Sequence, residues 1–458
     1  MFSKQLISAT GFVLVLTASA CTSTARDERA RFAAISQPEL ELIKEALEPG
    51  RTRPESARPR GETSLPELLK LSSVRSPLLG AAYYRWRGAV KNIGTAVAMP
   101  DAMLEYEQFL SAEPANIMRM EERRRVMLTQ EIPNPGLLVA RQQMLAAEAS
   151  SMAEEFDAVK RELFRRVAVS FYDVQALDAR VTLTRQLVEI ARAIEAGMEP
   201  MLVSGGASQS ELLRMQVERE ELEGMLLSQS LRRRALVSAL SAASGVELAP
   251  DVRLPGLQDP ALPSQPHSRA LLVVKLDEHP MLQMEHAKAA VAHGRVVEAK
   301  WMWVPDFFVG GEWMEVDAPM GMKGTRNVVG VRAGISIPWQ FHVNAARSDA
   351  ARANELAARF VIEQKRLDLK AELDSMLFEL ADAERMLMLL NQSTLPKARQ
   401  ALELARGDFS TGKASLTDVL STQNTWLAGE LSLINARVDL LKTRAGLESL
   451  TGLSFSGE

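Results

Sequence analysis

The sequence predicts a mainly α-helical chain with a β-barrel portion, built as two structural repeats. Three observations carry this. A short motif occurs twice, Gly205-Gly206-Ala207-Ser208-Gln209-Ser210-Glu211-Leu212-Leu213 and Gly412-Lys413-Ala414-Ser415-Leu416-Thr417-Asp418-Val419-Leu420, at an offset of 207 residues. Each copy is preceded by a very long helical stretch, about Gly136 to Ser204 and about Val343 to Ser410. Each long stretch is in turn preceded by a segment in which apolar residues alternate with polar or small ones. A repeat that spans half a chain defines its architecture.

The same offset carries Gln216 onto Gln423, Leu240 onto Leu447 and Gly245 onto Gly452. Each copy of the motif reads as the tip of a helical hairpin. Glycine allows the positive φ that ends one helix. Ser208 or Ser415 caps the next, with Glu211 or Asp418 three residues on as the capping-box partner. The tips are taken as Val203, Ser204, Gly205 and Gly206 in the first half, and Phe409, Ser410, Thr411, Gly412 and Lys413 in the second.

In chain order, residues 1–20 form a secretory signal: Lys4 supplies the positive end, Leu6 to Leu16 the apolar core and Ala18-Ser19-Ala20 the small-residue cleavage site. The core is too short to span a bilayer. The chain's one cysteine, Cys21, follows directly, so no disulfide can form within the chain. The arrangement resembles a bacterial lipobox with Ala18 where Leu is usual. It is read as making Cys21 the lipidated N-terminus, with ordinary signal cleavage leaving a free thiol as the alternative. Residues 21–64 are a lipidated extension, polar and Arg/Pro-rich at Arg53-Pro54 and Arg58-Pro59-Arg60. One short helix is expected over Pro38 to Leu47, and a poorly ordered arm elsewhere.

The first repeat is placed at 65–245, with helices over Leu65 to Val74 and Pro77 to about Thr95 and a hairpin at about 100–133. A Pro-rich linker covers 246–275, and the second repeat, with a hairpin at about 305–338, covers 276–458. The second hairpin is plainly β: Val329, Val331, Ala333, Ile335 and Ile337 alternate with Gly330, Arg332, Gly334 and Ser336. Pro100-Asp101 and Ile132-Pro133 match Pro305-Asp306 and Ile337-Pro338 at an offset of 205. The long helices would each reach about 100 Å. Pro396 interrupts the second and bends it.

Four strands of about ten residues each have bilayer-spanning length but cannot close a barrel alone. Open edges are not tolerated in lipid, so the sheet must close with copies from other chains, and three chains of four strands give about twelve. Trp301, Trp303, Trp313 and Trp339, flanking or inside the second hairpin, are read as interfacial aromatics. Core filling is the competing role.

These features resemble the outer-membrane efflux proteins of TolC type. The resemblance rests on the repeated Gly–x–Ala–Ser–x–Ser/Thr–Glu/Asp tip, the hairpins ending in Ile-Pro, Leu395-Pro396, and Phe409 to Leu420, with Phe409 where that family often has Tyr. It covers nearly all of residues 65–455. It implies a homotrimer: a 12-stranded barrel in the outer membrane, four strands per chain, continuing into a trimeric α-helical barrel in the periplasm. It also implies docking to a periplasmic adaptor and an inner-membrane pump of RND type, and a passive exit duct for small molecules such as drugs or metal cations. Type I protein secretion is the alternative within that class, and a pore-less coiled-coil adaptor or scaffold lipoprotein the alternative outside it. By the same resemblance Glu211 and Asp418 line the periplasmic gate. A further acidic position of the family is Ser421 here, and a purely capping role competes for both carboxylates.

Other chemistry finds little support. A net charge of −4 with 24% charged residues gives no electrostatic case for nucleic acid. His279, His286 and His293 recur every seven residues, about 10 Å apart along a helix, too far for one metal, and read as a solvated stripe. Met118, Met120, Met320 and Met322 read as loop or filler residues rather than soft-metal ligands. No nucleophile elbow, P-loop or paired catalytic carboxylates occur, so no enzyme activity, cofactor or metal is expected.

Overall fold

The computed structural model describes residues 23–36, 62–109, 122–203, 208–258, 268–317, 324–411 and 413–455. The signal sequence, Cys21, the 38–47 stretch, Ser204 to Ala207, Gly412 and the methionines at 118, 120, 320 and 322 lie outside these residues. The described elements are α1 (Ser23–Ser36), α2 (Leu65–Arg75), α3 (Pro77–Asn92), β1 (Met103–Gln108), β2 (Glu122–Ile132), α4 (Pro135–Val203), α5 (Gln209–Ser244), α6 (Arg269–Leu276), α7 (Pro280–Trp301), β3 (Asp306–Asp317), β4 (Thr325–Ser336), α8 (Phe341–Leu389), α9 (Leu395–Ser410) and α10 (Leu416–Thr451). They fall into two units. One holds residues 1–36, 84–154 and 283–364, and the other residues 37–83, 155–282 and 365–458.

The first unit contains a four-stranded antiparallel sheet in the order β1-β2-β3-β4. Pairing of β2 with β3 joins the two halves of the sequence. The register sets Tyr106, Val126, Trp313 and Val329 in one row, and Leu104, Leu128, Gly311 and Val331 in another. By the period of two, these rows share one face with Val309, Phe307 and Ile335. That face is uncovered: Leu104 is 70% exposed, Val329 77% and Val331 89%. Each such side chain forgoes about 1.5–3 kcal/mol of burial while water touches it. The opposite face is mixed and carries the charged side chains: Glu105, Glu107, Arg125, Glu131, Glu312 and Arg332 lie among Met127, Phe308, Met314 and Val328. There Arg125 pairs with Glu107 and with Glu122. Gly334 leaves room for the Phe308 ring, which would lie 2.3 Å from a Cβ at that position. Among the described residues, β1 and β4 stand at the ends of the sheet and are paired on one side only.

Asn134 fixes the base of the sheet. Its side-chain carbonyl accepts the Leu137 N–H at 2.8 Å to start α4, its amide nitrogen donates to the Trp301 carbonyl, and its backbone N–H donates to Asp306 at 2.9 Å. The Trp301 ring covers Gly136, and Trp303 stacks on Phe341 at 6.1 Å.

Helix α1 corrects the expectation of an unstructured arm. Ala25 is fully buried, Phe32 meets Trp86 edge-to-face at 5.1 Å, and Arg31 pairs with Glu154 at 2.9 Å. Ala25, Glu28 and Phe32 share one helical face, and burial raises the pKa of the Glu28 carboxyl. Trp86 is therefore a core residue against α1, 1% exposed.

The second unit is helical. Clusters of buried side chains tie α4 and α5 to α10 (Leu187, Met198, Met215, Leu416), α8 to α9 and α10 (Leu387, Leu395, Leu440), and α4 to α10 (Leu183, Ile434, Val438). The equivalent helices α5 and α10 each end at a left-handed glycine, Gly245 (φ 68°) and Gly452 (φ 72°). Ahead of Pro396 the chain widens into one π turn over Leu390–Thr394, because proline has no N–H for the carbonyl four residues back. The start of the linker is pinned. Arg233 donates to the Pro250 and Val252 carbonyls and to Asp178, and Gln175 donates to the Pro255 carbonyl. Its end is the helix α6, within the stretch assigned to linker, capped by Ser268.

Of the three histidines, His286 and His293 are exposed, and His293 faces Glu355 at 3.2 Å. His279 departs from the expected solvated stripe. It is buried, and its Nδ1 accepts the Met281 N–H at 3.2 Å in the first turn of α7. Burial, with Arg161 and Lys365 nearby, pushes its pKa down to about 4.

Candidate functional site

The two tips belong to the helical unit, and local sequence accounts for their shape. In the first, the Ser208 hydroxyl caps α5 by accepting the Glu211 N–H at 3.3 Å, while the Glu211 carboxylate accepts the Ser208 N–H at 2.8 Å. In the second, Ser415 accepts the Asp418 N–H at 3.3 Å, and Asp418 accepts the Ser415 N–H at 3.0 Å and hydroxyl at 2.7 Å. Both are complete capping boxes. The bonds from Ser208 and Ser415 hold both carboxyl groups below their ordinary pKa, so both are charged at neutral pH. Position at a helix N-terminus favours the same charge state. Capping leaves oxygen lone pairs of each carboxylate open to the solvent side, so a cap can also supply a negative field.

The second tip closes on the Asp408 carbonyl, which accepts the Lys413 N–H at 2.8 Å and the Ala414 N–H at 3.3 Å. The Ser410 hydroxyl donates to the Gly407 carbonyl at 2.7 Å, and Thr411 donates to the same carbonyl. Phe409 is partly buried against the apolar cluster that holds Leu187, Met198, Leu212 and Leu416, whereas Val203 at the end of α4 is 91% exposed. Ser204, Gly205, Gly206 and Gly412 are outside the described residues.

A contact that sequence reasoning did not find joins the tips: Arg214 on α5 donates to the Thr417 hydroxyl on α10 at 3.2 Å. It places the starts of α5 and α10 side by side, with Leu212 and Leu416 in one apolar cluster beneath. Also unanticipated is a groove of about 420 Å³ between α4 and the α9–α10 tip, lined by Ile190, Ala193, Ile194, Gly197, Arg406 and Phe409. The i, i+3, i+4, i+7 spacing of its α4 residues is the one signal that a single helix face is involved.

Among the described residues no group of three or more His, Cys, Asp or Glu side chains could hold a metal ion. No described helix is long and apolar enough to cross a membrane, a test that does not bear on strands.

Residues 271–453 match the outer membrane efflux protein family. No curated protein matches the chain by sequence. Several solved channels share its fold. The outer-membrane channel OprN superposes with a TM-score of 0.73 at 14% identity, covering 86% of this chain and 90% of its own. VceC from Vibrio cholerae gives 0.70 at 16% identity, with 85% and 96% covered. The CmeC outer membrane channel of Campylobacter jejuni gives 0.70 at 13% identity, with 90% and 91% covered. Residues 271–453 thus carry the sequence pattern of outer membrane efflux proteins, and over most of its length the chain has the fold of these outer-membrane channels.

Proposed function

We propose that the chain is the exit duct of a tripartite efflux system, a homotrimer that passively passes small molecules such as drugs or metal cations out of the cell. The observation that carries this is the sheet: four strands, one uncovered apolar face, an opposite face that carries the charged side chains, and two half-paired ends. In lipid such edges demand closure, and three copies close a barrel of about twelve strands with the apolar face outward. A pore-less scaffold would have no use for that face. The aromatics support the same setting. Trp301, Trp303 and Trp339 stand at the helix-proximal end of β3 and β4, while Trp313 shares a row with Tyr106 seven residues up β3 from Asp306. At about 3.3 Å per residue that separation is about 23 Å along the strand, which the 35–45° tilt of barrel strands turns into about 16–19 Å of height, within the apolar band of membrane barrels.

In this reading Cys21 carries the lipid anchor, and the outer-membrane lipid meets the outward sheet face. A periplasmic adaptor docks at Val203 to Gly206 and Phe409 to Lys413, and an RND-type inner-membrane pump supplies the energy. Glu211 and Asp418 contribute six carboxylates at the periplasmic mouth of the trimer. The mass of the detergent-extracted protein tests the proposal. Three chains per particle are expected, and a stable detergent-free monomer would refute it.

A further inference from the structure

Within the helical unit, α2, α4 and α10 enclose a slot of about 440 Å³ far along the chain from both tips. Its α4 wall is Arg161, Phe164, Arg165, Ala168 and Tyr172. The spacing i, i+3, i+4, i+7, i+11 puts these on one stripe, about 16 Å long at 1.5 Å per residue. Helix α10 runs antiparallel beside it: Ser449 lies next to Arg161, and Lys442 is paired with Asp173 at the other end. Leu65 and Leu69 of α2 close the third side.

The two ends of the slot differ. One is apolar, with Ala168, Tyr172 and Leu441. The other is cationic, and its charges are unequally matched. Arg165 donates to both oxygens of Glu162, at 2.7 and 2.8 Å. Buried Arg444 faces Glu384 at 4.0 Å and feels Glu448. Arg161 is the exception. It donates to the Ser449 carbonyl at 3.4 Å, and among the described residues no carboxylate forms an ion pair with it. Its field reaches His279 and helps to depress that imidazole. The end of α10 offers Arg161 a carbonyl and a partial negative charge, not a full one. A carboxylate brought to this half-buried guanidinium would make a charge-assisted, bidentate pair.

We propose that the slot binds a single-chain amphiphile with one anionic head, a medium-length fatty carboxylate. The head pairs with Arg161, and the acyl chain lies along Phe164, Ala168 and Tyr172 beneath Leu65 and Leu69. Arg161 is one unmatched cation, so it calls for one anion. The volume is low in the range of small-molecule sites, about 300–1,000 Å³, and takes one chain rather than a two-chain lipid. The site is built within one chain and one unit, so it does not depend on the duct reading.

Decanoate bearing a diazirine in its chain, photolysed with the full-length protein in nonionic detergent and mapped by mass spectrometry, tests it. Labels are expected on the segments 164–172 and 441–449. The methyl ester of the probe should label them about tenfold less or weaker still, as for loss of a hydrogen bond to a charged group. Unlabelled octanoate, nonanoate and decanoate should compete with potency rising about fourfold per buried methylene. Phosphatidylglycerol should not compete. Arg161→Met should lower labelling about tenfold, and Arg161→Lys should retain most of it. Ala445→Phe, on the slot wall, should abolish labelling by filling the space while leaving every charge in place. Particle mass and thermal unfolding show that each variant is folded. Equal labelling by the ester, labelling that survives both Arg161→Met and Ala445→Phe, displacement by phosphatidylglycerol, or no label on these segments in the wild type would overturn the inference.

Discussion

At the scale of single residues, Glu211 and Asp418 have two duties that can be separated. Each completes a capping box, and each places a negative charge at the start of its helix. Gln and Asn keep the acceptor oxygen but lose the charge, so Glu211→Gln with Asp418→Asn removes the field and spares most of the cap. In the proposed trimer this neutralises six carboxylates near one opening, and rings of acids favour cations. The double variant should assemble normally, show lower cation selectivity and be blocked less by multivalent cations. Single-channel recording in planar bilayers measures this, and unchanged selectivity and block would reduce both residues to caps. The caps were legible because Ser-x-x-Glu and Ser-x-x-Asp are local patterns. The Arg214–Thr417 bond was not, because its partners lie 203 residues apart and neither has a distinctive neighbour.

At the scale of elements, what the sequence disclosed followed periodicity. The strands of the second hairpin and the long helices were readable, because each has a repeating residue pattern. Helix α1 was not: its useful face is Ala25, Glu28 and Phe32, with a carboxylate in the middle, and the residues around it are charged or small. The π turn before Pro396 was legible as a bend but not as a widened turn. His279 shows how a seven-residue spacing can mislead, since one member of the stripe caps the helix and is buried while the other two face water. Its folded pKa of about 4 lies below the ordinary 6.5, so the folded state resists protonation. Stability from neutral His279 is complete above pH 6.5 and is lost as pH falls toward 4. Between pH 7 and 5 the first turn of α7 should lose about 2 kcal/mol, the linkage cost of charging a site with that shift. Hydrogen exchange over residues 277–285 reads this directly. Opening should accelerate on acidification in the wild type and much less in His279→Gln, and an equal acceleration in both would remove His279 from the account.

At the scale of the whole molecule, the sheet constrains what one chain can be. Its register puts the rows of Leu104 and of Tyr106, apolar from β1 to β4, on the uncovered face, and its ends stop at β1 and β4. The period of two disclosed this face in the sequence. The β2–β3 pairing across the halves was not disclosed, since nothing local says that strand 122–132 lies against strand 306–317. If copies close the barrel, β1 of one chain must pair with β4 of the next. The chain offers a clean test, because Cys21 is its only cysteine and lies well before either strand. Cysteine in place of Leu104 on β1 can be combined in turn with cysteine at Val329, Gly330, Val331, Arg332 or Ala333 on β4. Side chains on one face of a sheet recur every second residue. Disulfides between chains should therefore form with the set Val329, Val331 and Ala333, strongest at one of them, and not with Gly330 or Arg332. The products should run as covalent dimers and trimers on denaturing gels. Bonds confined within one chain, or formed equally at all five positions, would mean that the strands do not close the barrel across copies.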